Sequence, residues 1–178
     1  MRNEEPGISR VTDILIRTME PADLESVLRI EEESFPHPWT RDQFMNEING
    51  GSVSRCHVAV RKTEEGRGAA GKEATPAGSV VGFVMAWLVS DELHITNLAV
   101  APEARRCGVA AALLSHTIRE AVRQGAVWCQ LDVRVTNTPA RELYSRLGFK
   151  PLGTRKRYYR NGEDAVVMGK ELVSDSGA

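Results

Sequence analysis

Cysteine is scarce in this chain. Cys56, Cys107 and Cys129 are odd in number and widely spaced, which excludes a disulfide framework and a CxxC metal pattern. We read all three as reduced thiols. Histidine is nearly as sparse: His37, His57, His94 and His116 are scattered, without the spacing of a zinc motif, and no metal is expected. A surplus of either charge is missing too. The 23 Lys and Arg against 24 Asp and Glu leave a net charge of −1, so no basic field holds nucleic acid and no direct nucleic-acid binding is expected. No apolar run is long enough to span a bilayer; the longest, Val80 to Val89, contains Gly82 and Trp87. The opening MRNEEPGISR has no apolar core and carries acids, unlike a secretion signal. The expectation is a cytoplasmic protein that makes no membrane contact.

What is present suits one domain. A chain of 178 residues can bury a single sizeable core, and 42% hydrophobic with 26% charged residues is an ordinary globular balance. Residues 1–10 and 174–178 read as flexible tails around a domain at 11–173. The segment 62–79, KTEEGRGAAGKEATPAGS, is rich in Gly, Ala and charge and lacks large apolar groups. It reads as a flexible loop inserted between two strands, tolerated because loop-closure cost grows slowly with length.

Strands are expected from Ile14 to near Met19, over Cys56 to Val60, Val80 to Val89, Leu93 to Val100 and Val127 to Val133, with two closing strands around Lys150 to Tyr158 and Asp164 to Leu172. Helices are expected from Pro21-Asp23 with the stripe Leu24, Val27, Leu28 and Ile30; after a Thr40 cap as far as Gly50-Gly51; and from Gly108 to Val122 with Val109, Leu113, Leu114, Ile118 and Val122 inward. A fourth starts at an Asn137 cap with Pro139 in its first turn and ends at Gly148. The pattern is α+β: a mixed, mostly antiparallel sheet of six to seven strands, helices on both faces and one strand–helix–strand crossover.

The most informative stretch is Leu98 to Leu114, LAVAPEARRCGVAAALL. A strand feeds a turn that enters a helix through Arg105-Arg106-Cys107-Gly108-Val109-Ala110. Helix N-termini carry unpaired N–H groups and partial positive charge, small residues let a phosphate approach, and two arginines add charge. This is an anion cradle, or else a small-residue helix start packed tightly on the sheet. It is not a nucleoside-triphosphate loop, because no Gly-Lys-Ser/Thr follows, and its glycine spacing is not that of a dinucleotide fingerprint.

Arg105-x-x-Gly108-x-Ala110 after a strand resembles the acetyl-CoA signature of the GNAT acyltransferase superfamily. Glu33-Ser34-Phe35-Pro36 through Trp39, His94 to Val100, Leu131 to Asn137, Leu143 to Phe149 and Tyr158 to Ala165 resemble the amino-terminal acetyltransferases within it. The likeness covers roughly residues 13–172. It is nearest to the RimI type, which acetylates the N-terminal alanine of the eighteenth small-subunit ribosomal protein; archaeal broad-specificity relatives come next.

The resemblance implies a GNAT fold, acetyl-CoA as co-substrate without a metal, and a protein N-terminus, from a ribosomal protein, as acceptor. It implies that the backbone of Leu98, Ala99 and Val100 binds the pantetheine arm, that Arg105, Arg106, Cys107, Gly108, Val109, Ala110 and Ala111 wrap the pyrophosphate, and that Asn137 holds the cofactor from the facing helix. Tyr144 matches the general acid that protonates the departing thiolate; otherwise it is a packing tyrosine. Asp132 stands where the RimI type carries a glutamate base. It is one methylene shorter, so it would act through one bridging water, or would only neutralise a substrate amine or Arg134. His94 matches a histidine base of archaeal relatives and is the rival. Substrate recognition falls to Phe35, Trp39, Tyr158 and Tyr159, the last two being otherwise ordinary strand aromatics. Cys107 serves as a small filler. The chain is expected to act as a monomer or weak dimer. Two other readings stay open: a small-molecule amine acetyltransferase on the same fold, and a non-catalytic acetyl-CoA-binding module.

Overall fold

A computed structural model describes residues 13–62 and 79–172. The two expected tails and residues 63–78 of the expected loop lie outside the described residues. The roots of that segment are tied: Arg61 N–H donates to Ser79 O at 3.0 Å and Lys62 N–H to Asp13 O at 2.8 Å.

Seven strands form one sheet: β1 (Ile14–Thr18), β2 (Ser54–Arg61), β3 (Val80–Val89), β4 (Glu92–Val100), β5 (Trp128–Arg134), β6 (Lys150–Arg155) and β7 (Ala165–Glu171). Their spatial order is β1-β2-β3-β4-β5-β7-β6. Every neighbouring pair is antiparallel except β4–β5, which is parallel and joined by α3 (Val109–Arg123). A parallel pair needs such a crossover, and this is the one the sequence predicts. The other helices are α1 (Leu24–Ser34), α2 (Arg41–Ile48) and α4 (Thr138–Arg146).

The two faces are covered by different helices. A Cβ on Gly82 of β3 would lie 3.3 Å from Leu113 of α3, while the next residue, Phe83, stacks edge-on against Phe44 of α2 at 5.5 Å. Successive strand residues point to opposite faces, so α3 and α2 lie on opposite sides of the sheet. Phe44, Phe83, Leu113 and Leu131 are among the fully buried side chains between these layers. Each contributes about 1.5–3 kcal/mol by leaving water.

The caps follow the sequence. Thr40 and Gln43 form a reciprocal capping box at α2, and Asn137 Oδ1 accepts from Ala140 N–H at the start of α4. Three expectations need correction. The inward stripe of α3 runs through Val109, Leu113, Leu114, Thr117 and Ala121, with Ile118 and Val122 only partly buried. A threonine occupies the stripe because its hydroxyl is paired with His57. Leu28 is likewise only partly buried, and Glu31 takes an inward place on α1. Finally, β6 ends at Arg155, so Tyr158 and Tyr159 belong to the turn between β6 and β7 rather than to a strand.

Candidate active site

β4 and β5 pair only over Glu92–Ile95 and Trp128–Leu131. The cause is local: Met85 of β3 pairs with Asn97 while Ala86 pairs with Ile95, leaving Thr96 as an extra residue in β4. A bulge of this kind bends its strand, and here the two strands part at that point. Beyond Ile95, β4 has a strand partner on one side only among the described residues. Its open edge at Leu98, Ala99 and Val100 can meet an extended, amide-bearing chain.

The anion cradle lies past the end of β4. Pro102–Ala104 form a 3-10 turn, Arg106 adopts φ 66° and Gly108 φ 82°, and α3 begins at Val109. Gly108 suits the left-handed conformation; Arg106 is held there at a steric cost. Alternating handedness of this kind turns successive N–H groups into one concavity, which continues into the unpaired N–H groups of Val109, Ala110 and Ala111. The Arg105 guanidinium has a second task. Its Nε donates to Val100 O at 3.0 Å and its Nη2 to Ser34 Oγ at 3.3 Å, tying the cradle to β4 and α1. Cys107 Sγ donates to Arg105 O at 3.4 Å within the same turn.

At the fork, the alternation of β5 puts Cys129, Leu131 and Val133 into the core and leaves Gln130, Asp132 and Arg134 on the other face. His94 pairs with Gln130, so Asp132 is its diagonal neighbour on that face. His94 Nε2 lies 3.6 Å from Asp132 Oδ2, within charge contact but beyond hydrogen-bond length. Arg155 Nε lies 3.2 Å from Asp132 Oδ1. The Asp132 side chain is only 7% exposed, yet neither carboxylate oxygen has a well-formed hydrogen bond. Thr96 Oγ1, at the bulge, is likewise buried and unpaired.

Two tyrosine hydroxyls, of Tyr158 and Tyr159, feel this carboxylate, and Tyr144 is next to Tyr159. Burial raises the Tyr158 phenol, with a further push from the Asp132 charge. Burial pushes Tyr159 up to about 12, against the opposing pull of Arg134, whose guanidinium sits 3.7 Å from the ring centroid. Tyr144 is buried on α4, and its phenol is raised by burial and then by Tyr159. A phenol so placed is fully protonated at neutral pH.

The chain matches the model of the Acetyltransferase (GNAT) family over residues 24–149. A Bacillus subtilis (strain 168) protein, named provisionally as a ribosomal protein bS18-alanine N-acetyltransferase, is 33% identical over 158 residues, 88% of this chain and 95% of its own. The Escherichia coli (strain K12) protein of that name is 30% identical over 156 residues, 86% and 94% of the two chains.

The chain belongs to the GNAT acetyltransferase family.

The GNAT fold extends through the whole described sheet. The crystal structure of the ribosomal-protein-S18-alanine N-acetyltransferase from Escherichia coli matches with a TM-score of 0.74 and 28% identity, covering 93% of this chain and 99% of that one. Ard1 from Thermoplasma volcanium matches with a TM-score of 0.75 and 27% identity, covering 90% and 99%.

Within this GNAT domain, the expected site residues fall into three groups, with Asn137 apart at the α4 cap. His94, Asp132, Tyr144, Tyr158 and Tyr159 gather around the fork, and Leu98 to Ala111 line its open edge and cradle. Phe35 and Trp39 belong to the α1–α2 connection and are half-buried; Trp39 also packs its ring on Phe44 at 5.5 Å. Glu31 fixes that connection: it accepts from Trp39 N–H at 2.9 Å and from Asn97 Nδ2 of β4 at 3.0 Å. Burial raises the Glu31 carboxyl against both donors. Sequence reading missed Glu31, although an acid on the apolar stripe of a helix is a visible signal. It also missed Arg155, which meets Asp132 only because β6 and β7 pair. Arg134 is engaged by Glu163 at 2.8 Å, so the ion-pair partner of Asp132 is Arg155 rather than Arg134. Cys56 and Cys129 are buried thiols pushed up to about 12, which makes them inert.

Proposed function

We propose that this GNAT enzyme transfers acetyl from acetyl-CoA to the N-terminal α-amine of a protein, and that the N-terminal alanine of ribosomal protein bS18 is its substrate. The names of the two bS18-alanine N-acetyltransferase relatives support that acceptor, and a ribosomal acceptor fits action in the cytoplasm. The observation that carries the reading is Asp132: a nearly buried carboxylate at the apex of the fork, ion-paired to Arg155, beside His94 and Tyr158, with room on its oxygens for a further donor. Arg155 compensates its charge, and a carboxylate accepts up to four hydrogen bonds, so an α-amine or a bridging water can supply the further donors.

The residues fit the co-substrate. The open edge offers the N–H and C=O of Leu98 and the N–H of Val100 to the pantetheine amides, the Ala99 backbone groups facing β3 and the Val100 carbonyl being taken by Arg105, and residues Arg105 to Ala111 receive the pyrophosphate. The Asn137 side-chain oxygen is taken by the α4 cap, so the contribution of Asn137 to the cofactor comes through its amide NH2.

The chemistry asks little of a base. A terminal α-amine has a pKa of about 7.7–8.0 against about 10.4 for lysine, so deprotonating it at neutral pH costs about 3–4 kcal/mol less. The amine lone pair attacks the thioester carbonyl, the C–N bond forms, and the C–S bond breaks. One amine proton leaves through Asp132, by a water, with His94 as its neighbour. The departing thiolate takes a proton from the Tyr144 phenol. Burial makes that phenol a weaker acid, and the same dry surroundings make the thiolate a stronger base. Tyr158, Tyr159 and the Phe35–Trp39 connection flank the acceptor peptide.

Mass spectrometry of two peptides incubated with acetyl-CoA and the protein tests this. One peptide carries the free N-terminal alanine of bS18; the other has that end blocked and a lysine exposed. The expected result is acetylation of the first alone. Acetylation of the second alone, or of neither, contradicts the proposal and points to small amines or to binding without turnover.

A further inference from the structure

A second cluster of chemically capable side chains lies away from the fork, on the face covered by α3. His57 of β2 meets α3 at three residues. Its Nδ1 lies 3.0 Å from Thr117 Oγ1, its Nε2 lies 2.6 Å from Glu120 Oε2, and its ring stands 5.0 Å from that of His116. His116 and Glu120 are four residues apart on a helix and therefore share a face. One ligand atom from each of His57, His116 and Glu120 lies within 4.8 Å of the other two.

We propose that His57, His116 and Glu120 form a zinc site that staples α3 to β2, with a water in the fourth position. Two imidazoles and a carboxylate are a borderline-soft donor set suited to a tetrahedral zinc ion. Bonds of about 2.0 Å at tetrahedral angles put ligand atoms about 3.3 Å apart. The His57–Glu120 separation opens slightly to reach this, and the partly exposed His116 and Glu120 side chains adjust. Thr117 is the outer partner that holds the buried His57 ring through Nδ1, and the metal would take Nε2 in place of its present contact with Glu120 at 2.6 Å.

The groups facing the cluster are accounted for. Glu120 favours a cation. The Arg55 guanidinium, next to His57 in its effect, opposes one, but it is engaged by Gln124 Oε1 and by Ser52 O at 2.7 Å. The sequence hides the site because its ligands sit on two elements, 59 residues apart between His57 and His116. His116 lies seven residues beyond Val109, about 10 Å along the helix from the cradle. The staple therefore anchors the helix that carries the cradle without entering it.

The test uses the full chain, stripped with a chelator and titrated with Zn²⁺ by calorimetry, alongside His116→Ala and Glu120→Gln. Thermal melts are run with and without the metal. Expected are one zinc per wild-type chain, a rise in Tm on adding zinc, and affinity at least tenfold weaker in both variants. The His57–Thr117 contact survives in His116→Ala, so its zinc-free Tm should match that of the wild type. Co²⁺ in place of zinc should give the visible absorption of a four-coordinate site. Absence of stoichiometric binding by the stripped wild type, or unchanged affinity in His116→Ala, overturns the proposal.

Discussion

β3 and β6 belong to one antiparallel-rich sheet, yet eight of the ten residues of β3 are buried and all six of β6 are exposed. The half of the sheet from β1 to β4 is sandwiched between α3 on one side and α1 and α2 on the other. On the side of β5, β7 and β6 the polar face carries Asp132, nearly buried, with the partly exposed Arg134 and Arg155. The bulge at Thr96 marks the border, where β4 leaves β5. Packed apolar layers resist deformation, whereas a half-covered sheet can present charges and aromatic edges. Stability is thus concentrated in one half, and the proposed chemistry lies at the seam with the other.

Six substitutions sharpen or break this division. The largest effect should come from Tyr144→Phe, which removes the thiolate acid. Turnover should fall about 10²–10⁴-fold in a peptide assay, with little change in the thermal midpoint. A melt that collapses instead would make Tyr144 a packing residue. Phe83→Ala is the converse. It should cost about 3–5 kcal/mol in denaturant unfolding while the folded fraction keeps its turnover. Next is Asp132→Asn, expected to lower turnover about 10²-fold and far more than His94→Ala. Equal rates in wild type and the Asp132 variant would remove Asp132 from the mechanism.

Glu31→Ala spans the border. Leaving the Trp39 N–H and the Asn97 amide without their acceptor should cost about 1–3 kcal/mol. It should also raise KM for the peptide more than it lowers kcat, because the substrate-flanking connection loses its tie to β4. The smallest change belongs to Leu152→Ala on β6. Leu152 is an exposed side chain, and stability should move by less than about 0.5 kcal/mol.

The packed half was legible in the sequence because hydrophobic period and helix caps are local signals. The run at Val80–Val89, the Thr40 and Asn137 caps and the β4–α3–β5 crossover all appear where the residues placed them. The inward face of α3 was misplaced because Thr117 looks polar in isolation, and its buried partner, His57, is far away in sequence. The end of β6 was overrun because Tyr158-Tyr159 favour a strand, while Arg157 at φ 51° and its N–H bond to Asp164 Oδ1 make a turn. Around the fork, the roles proposed for His94, Asp132 and Tyr144 come from the family's motifs alone. The role of Arg155 exists only after β6 pairs with β7, and Glu31, an acid on an apolar stripe, gains its partners only once α1 packs against β4.

The location of the cofactor is the centre of this account, and hydrogen exchange read by mass spectrometry addresses it directly. With acetyl-CoA added, the account predicts slowed exchange at the amides of Leu98 to Val100 and Arg106 to Ala111, and no change along β6. Protection absent from both of those segments, or concentrated on β6, would contradict it.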